Sequence, residues 1–135
     1  MRSLFLLAFA AFAFVLAPTA SAQSVDADVE FVSDTHDERV THGDYYRVRF
    51  TVTNTGDVDI RGGVFVVFET PTGGEVVRRI ENKILEPGQS ETYRFKELFR
   101  PGAPTGEYTV HVSFENEDRS HTWDVETTTV TVAAP

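Results

Sequence analysis

Hydrophobic and polar residues alternate along most of the chain beyond residue 26. The clearest case is the segment 45–54, "YYRVRFTVTN". One set of alternate positions is apolar, namely Tyr46, Val48, Phe50 and Val52, and the other set is polar, namely Arg47, Arg49, Thr51 and Thr53. Successive side chains of a strand point to opposite faces of its sheet, and aromatic and β-branched residues favour strands. The segment therefore predicts a β-strand with one buried face.

Similar runs continue to the end of the chain, separated by turns rich in Gly, Pro, Asn and Asp, and no segment shows a helical period. We predict strands at residues 27–32, 45–54, 64–70, 75–80, 91–98, 107–116 and 121–132. The pattern is typical of an all-β sandwich of about seven antiparallel strands. In the last strand the apolar parity changes between Val125 and Val130, which predicts a β-bulge at residues 127–129.

The first 22 residues have the pattern of a secretory signal peptide. Arg2 precedes the apolar run 4–16, and the small residues Ala20-Ser21-Ala22 follow it. Such a run is short for a membrane span. We predict cleavage after Ala22, which makes 23–135 a single exported domain in the periplasm, at the cell surface or outside the cell. The alternative is an uncleaved N-terminal anchor.

The charge balance of the chain is acidic, with 21 Asp and Glu against 12 Lys and Arg and a net charge of −9. Nucleic acids and anionic membrane surfaces repel such a chain, so neither is an expected partner. We expect no stable membrane insertion after signal cleavage. The chain has no cysteine, so packing rather than disulfide bonds must stabilise the exported domain.

Three segments, "FTVTNTGDVDIRGGVFVVFE", "ILEPGQSETYRF" and "PTGEYTVHVSFE", together resemble CARDB-type domains. These are bacterial and archaeal immunoglobulin-like modules associated with cell adhesion. The resemblance covers residues 31–132 and rests on an N-x-G loop, an L-x-P-G turn and a G-x-Y strand entry. The motif residues are Asn54, Gly56, Pro87, Gly88, Gly106 and Tyr108. The resemblance implies an immunoglobulin-like β-sandwich.

Each motif has an expected structural role. Gly56 permits a positive φ where the chain passes between sheets, and Asn54 hydrogen-bonds its own turn. Pro87 and Gly88 suit the two central positions of a type II turn. Tyr108 stands where a tyrosine corner ties its hydroxyl to the backbone just upstream.

Residues with catalytic or metal-binding chemistry are present without the spacing that such chemistry needs. The histidines are His36, His42, His111 and His121. They form no H-x-H or H-x₃-H pair, the acidic loops lack EF-hand spacing, and no G-x-S-x-G elbow occurs. We expect no catalytic residue, no cofactor and no metal, and we do not expect an enzyme.

The strand at 64–70 is apolar on both faces, so one set of side chains must face away from the core. If that set is Phe65 and Val67, it forms either a partner-binding patch or a surface covered by a loop such as 99–106, with Phe99 folded over it. The last strand offers a second contact, because "VETTTVTV" is long, uncharged after Glu126 and free of proline. Its candidate partner-binding residues are Thr127, Thr129 and Thr131.

These patterns predict an exported, non-enzymatic module that mediates protein–protein contact or adhesion at the cell envelope. Its expected partner is another envelope or extracellular protein, or a second copy of the chain. The alternatives are a carbohydrate-binding module, for which Trp123 would have to stack on sugars rather than plug the core, and a periplasmic metal-binding protein, for which the histidines would have to converge.

Overall fold

The computed structural model describes residues 23–33 and 36–135. All regular secondary structure in this part of the chain is β-strand. The strands are β1 (Ala27–Phe31), β2 (Arg39–Thr41), β3 (Tyr45–Asn54), β4 (Ile60–Glu69), β5 (Glu75–Leu85), β6 (Ser90–Leu98), β7 (Gly106–Glu115) and β8 (Thr122–Ala133). The predicted signal peptide at 1–22 lies outside the described residues. Within them, no helix has the length and hydrophobicity needed to cross a membrane.

The strands form two packed sheets, one in the order β1-β3-β6 and one in the order β2-β8-β7-β4-β5. The all-β sandwich is confirmed, but residues 23–33 and 36–135 form eight strands rather than seven, and one pair is parallel. The additional strand is β2, which runs parallel to the end of β8. The sequence hides β2 because it is three residues long and only Val40 of it is buried.

The second sheet also extends beyond its predicted limits. β4 begins at Ile60, which pairs with Leu85 at the end of β5. Gly62 and Gly63 obscure the start of β4 in the sequence, since glycine weakens a strand pattern. A Cβ atom on Gly62 would lie 2.8 Å from the Phe114 ring and 2.9 Å from the Trp123 ring. Glycine is therefore required where two aromatic rings lie against the backbone.

The core lies between the sheets and contains the alternate apolar side chains of each central strand. Phe68 of β4 contacts three aromatic rings, with centroid distances of 5.8 Å to Tyr46, 6.3 Å to Phe95 and 5.8 Å to Phe99. Full burial of a side chain of this size contributes about 1.5–3 kcal/mol. The cysteine-free core therefore includes a cluster of aromatic rings at one end, and Val110 packs within the same core.

The bulge of β8 lies at its start, so the prediction for 127–129 is wrong. Phe114 pairs with Asp124 and Glu115 with Thr122, which leaves Trp123 as the additional residue. Trp123 turns inward and packs on Phe114 with centroids 5.2 Å apart. The parity change follows from this position, because Val125 faces solvent while Val130 and Val132, at the other parity of β8, are buried.

Candidate functional site

Asn54 joins both sheets at the end of β3. Its side chain is completely buried. Nδ2 donates to the carbonyl oxygens of Val58 at 2.7 Å and Leu85 at 2.9 Å, and Oδ1 accepts from Gly56 N at 2.9 Å. The predicted bond to its own turn is confirmed. Two additional bonds tie β3 of one sheet to β5 and to the loop before β4 of the other.

Gly56 has a different role from the predicted one. Its φ is not positive, unlike that of Gly88 or Gly106. Instead, the chain entering β1 passes directly against it, and a Cβ atom on Gly56 would overlap the carbonyl oxygen of Ser24. Its N–H also donates to the carbonyl oxygen of Asp26 at 3.2 Å. Glycine is required for this close approach of two backbones.

The L-x-P-G segment forms the predicted turn. Gln89 N donates to Glu86 O at 2.9 Å, and Gly88 has a φ of +77°, as the third position of a type II turn requires. Gly88 N also donates to Asn54 O at 2.9 Å. This turn is therefore tied to the end of β3 by main-chain hydrogen bonds.

Tyr108 forms the predicted bond to the upstream backbone. Its hydroxyl donates to Pro104 O at 2.7 Å, and burial of the phenol raises its pKa. Gly106 adopts a φ of +127°, and its missing Cβ would lie 3.2 Å from the ring of Pro71. These motif residues hold the loops around the sandwich in place.

The two apolar faces of β4 have different environments. Val64, Val66 and Phe68 face the core, whereas Phe65 and Val67 face outward. The outward pair is nevertheless only 1% and 4% exposed. The cover is different from the predicted loop, because Phe99 packs on the inner side.

Two guanidinium groups cover the Phe65 ring, those of Arg79 at 5.1 Å and Arg119 at 5.4 Å. Arg119 is held in turn by carboxylates, with Nε 3.5 Å from Glu115 and Nη1 3.4 Å from Glu75. Phe65 is thus covered by side chains of the same domain, and because Val67 is also buried the pair forms no open apolar patch.

Glu115 is a buried residue that the sequence did not single out. Ser113 Oγ donates to its Oε2 at 2.6 Å, and Thr122 Oγ1 donates to its Oε1 at 3.1 Å. Because Glu115 lies at the outward parity of β7, alternation alone predicts an exposed carboxylate. Only the register of β7 against β8 and the position of Arg119 reveal its burial.

The histidines lie at separate places. His42 Nε2 is 2.9 Å from Ala103 O, and the His111 ring lies between Thr127 Oγ1 at 2.8 Å and Glu69 Oε1 at 3.0 Å. The remaining two pack against aromatic rings, His36 on Phe31 and His121 on Trp123. Residues 23–33 and 36–135 contain no group of three or more His, Cys, Asp or Glu suited to a metal ion.

The outer edge of β8 is covered at both ends. Thr131 N donates to Glu38 O at 3.0 Å, and β2 pairs with residues 131–133. Thr131 therefore does not lie at an open edge, contrary to the expectation for the whole segment. At the start of β8, Asp124 Oδ2 accepts from Val29 N of β1 at 2.7 Å.

Between these ends lies a short free stretch, Val125–Thr129, which we name the β8 edge. Hydrogen-bonding direction alternates along an antiparallel strand. Since Thr131 N points away from β7, the N–H and C=O groups of Val125, Thr127 and Thr129 point the same way. The side chains of these residues are exposed. Among the described residues, β2 does not reach them.

The opposite side of the sandwich is bridged by polar contacts from β5 to β6. Arg78 Nη2 lies 2.7 Å from Glu97 Oε1, and Lys83 Nζ lies 3.0 Å from Glu91 Oε1. The Tyr93 hydroxyl donates to Glu81 Oε1 at 2.7 Å. β5 also has a register shift opposite Val64 and Phe65. Charged residues and bulges hinder addition of another strand. The β8 edge is therefore the better candidate for strand pairing.

No family model and no curated protein matches the sequence. The structure is similar to part of a Pseudomonas fluorescens alkylpurine DNA glycosylase, with a TM-score of 0.65, 15% identity and coverage of 82% of this chain and 31% of that one. It is also similar to part of a Listeria innocua β-glucosidase, with a TM-score of 0.61, 17% identity and coverage of 81% and 16%. The chain thus spans less than a third of either enzyme.

A third similar structure is a CARDB domain from Pyrococcus furiosus, described in complex with di-metal ions. The TM-score is 0.58 at 14% identity, and the match covers 84% of this chain and 96% of that domain. At such identities the similarity concerns the fold alone. The chain has an all-β sandwich fold similar to that of a CARDB domain.

Proposed function

We propose that the protein is an exported, non-enzymatic immunoglobulin-like module of CARDB type that binds another protein through the β8 edge. The immunoglobulin-like assignment is supported by strand order. The sheets β1-β3-β6 and β8-β7-β4-β5 correspond to strands A-B-E and G-F-C-C′ of immunoglobulin domains. Export rests on the signal pattern of residues 1–22.

The observation that carries the proposal is the set of outward backbone groups on Val125, Thr127 and Thr129. An extended segment of a partner can pair with such groups, so that main-chain hydrogen bonds supply affinity and side-chain contacts supply specificity. The covered ends restrict the added strand to a short register. A weak, specific contact is the expected result, because the paired segment is short.

The proposal is tested by placing a photo-crosslinking amino acid at Thr129, with the exposed turn residue Thr72 as the matched control position. Capture of one protein, or of a second copy, from Thr129 and not from Thr72 supports it. Equal capture from both positions contradicts it.

A second variant, with the photo-crosslinking amino acid moved to the exposed residue Thr127, tests the role of the backbone. Thr129→Pro removes an N–H that β7 does not use, so the fold is retained while pairing at the edge is blocked. Thr129→Val keeps the N–H and serves as the control. Loss of capture in both variants, or in neither, would show that strand pairing is not the mode of contact.

A further inference from the structure

The β8 edge is bounded at both ends and is symmetric about Thr127. Its outward N–H and C=O groups belong to residues that share the parity of Thr131. At the far end Thr131 N donates to Glu38 O, and at the near end Trp123 is the additional residue of the bulge. Among the described residues, the edge therefore offers Val125, Thr127 and Thr129 for pairing, with Thr127 at the centre.

An antiparallel copy of this edge matches it residue for residue. When Thr127 lies opposite Thr127 of a second copy, Val125 of each chain lies opposite Thr129 of the other. Residues with outward backbone groups then face each other at every such position. An antiparallel ladder forms two hydrogen bonds at each of these positions, so the three pairs supply about six main-chain bonds.

The neighbouring registers are blocked by Glu126 and by β2. A register that keeps outward groups opposite each other can move the symmetry axis from Thr127 to residue 126 or residue 128. An axis at 126 sets Glu126 opposite Glu126 of the copy, and like charges directly opposite each other destabilise a sheet. An axis at 128 sets Val125 opposite Thr131 of the copy, whose N–H is bonded to Glu38. Pairing about Thr127 avoids both conflicts.

The side chains of the edge also suit a contact between copies. On the outer face Thr127 would meet Thr127, and Val125, which is 45% exposed, would meet Thr129. On the other face Glu126 would meet the uncharged Thr128. Each pair includes a β-branched residue, and such residues pack well across strands.

The charge of the chain restricts where two copies can meet. With a net charge of −9, copies repel each other unless the contact keeps carboxylates apart. The β8 edge has Glu126 as its single charged residue. The other long edge of the same sheet, β5, has five charged residues, Glu75, Arg78, Arg79, Glu81 and Lys83. The β8 edge is therefore the better site for a copy.

We propose that the partner at the β8 edge is a second copy of this chain, paired antiparallel about a two-fold axis at Thr127. This inference rests on the proposed function, because it names the partner of the same site. A two-fold contact uses the same surface patch on both copies, which the symmetry of this edge provides. The two five-stranded sheets then form one continuous sheet.

Sedimentation velocity of the exported domain over a range of concentrations tests the association. We expect a monomer–dimer equilibrium. Thr129→Pro removes one N–H from each chain and so two bonds from the dimer, which should weaken dimerisation about tenfold, whereas Thr129→Val should leave it unchanged. A domain that is monomeric at every concentration, or an equal effect of both variants, overturns the inference.

Cysteine substitution tests the register, because the chain has no cysteine of its own. Thr127→Cys lies opposite its counterpart with Cα atoms about 5.5 Å apart, a separation that a disulfide bond spans. Thr129→Cys is about 13 Å from its counterpart along the strand, since Thr129 lies opposite Val125 of the copy. Brief oxidation should therefore give a covalent dimer of Thr127→Cys and not of Thr129→Cys. Equal yields from the two variants contradict the two-fold axis at Thr127.

The self-pairing and the proposed function can fail separately. If the domain is monomeric and the photo-crosslinking amino acid at Thr129 captures a different protein, the β8 edge remains the binding site and self-pairing is wrong. If the domain is monomeric and Thr129 captures nothing beyond what Thr72 captures, both are wrong.

Discussion

Replacement of Asn54 by alanine removes a single side chain that connects three parts of the fold. The amide donates to the carbonyls of Val58 and Leu85 and accepts from Gly56 N, at distances of 2.7–2.9 Å. These groups belong to the loop before β4, the end of β5 and the turn after β3. The substitution therefore weakens the link between the two sheets at one end.

The magnitude follows from the bonds that are lost. A typical intramolecular hydrogen bond contributes about 0.5–1.5 kcal/mol, and an unsatisfied buried group costs more. Because Asn54 is fully buried and makes three side-chain bonds, Asn54→Ala should lower the free energy of unfolding by about 3 kcal/mol. That is a large fraction of the 5–15 kcal/mol typical of a domain.

Urea titration followed by Trp123 fluorescence measures this change. Asn82→Ala is the matched control, because Asn82 is exposed on the edge strand β5 and should shift the midpoint little. Asn54→Asp retains the shape but places a carboxylate against two carbonyl oxygens, so it should also destabilise at neutral pH. A loss below about 1 kcal/mol for Asn54→Ala would refute the reasoning, since one average bond accounts for that much.

Three further predictions concern other residues. Tyr108→Phe removes the bond to Pro104 O and should cost about 1 kcal/mol in urea titration; unchanged stability would contradict the role of the hydroxyl. Arg94→Glu converts the like-charged pair that Arg94 forms with Arg49 across β3 and β6 into an opposite-charged pair and should stabilise the fold by about 0.5–1 kcal/mol; destabilisation would contradict the repulsion expected between the two arginines. Burial and neighbouring carboxylates raise the pKa of Asp28. Ionisation of Asp28 therefore disfavours folding. The stability that its protonated form contributes is lost as pH rises through the pKa of the folded state. Asp28→Asn should therefore raise the melting temperature at pH 7, with the difference disappearing well below pH 4; a constant difference would contradict the pKa direction.

The strands with one buried face are the ones that the sequence predicts best. β3 has the same limits in the sequence prediction and the structure, because apolar and polar residues alternate without interruption. β5 extends five residues beyond its predicted end at residue 80, because this edge strand has polar or exposed residues on both faces. Alternation of apolar and polar residues identifies a strand only where one face of the strand is buried and the other is exposed.

Close approaches between distant segments are not predictable from local patterns. The sequence shows Gly56 as part of a motif. The requirement for glycine at this position comes from the backbone of Ser24, which no local pattern places beside it. Likewise, the cover of Phe65 comes from Arg79 on β5 and Arg119 in the loop after β7. Both arrangements depend on strand order and register.

The same limit applies to the candidate sites. The uncharged run in the sequence points to Thr127 and Thr129, but the coverage of Thr131 by β2 depends on a three-residue strand. Likewise, the register of β3 against β6 sets Arg47 opposite Lys96. In the sequence these two residues are separated by β4 and β5, and the net negative charge of the whole chain does not indicate a pair of opposed basic residues.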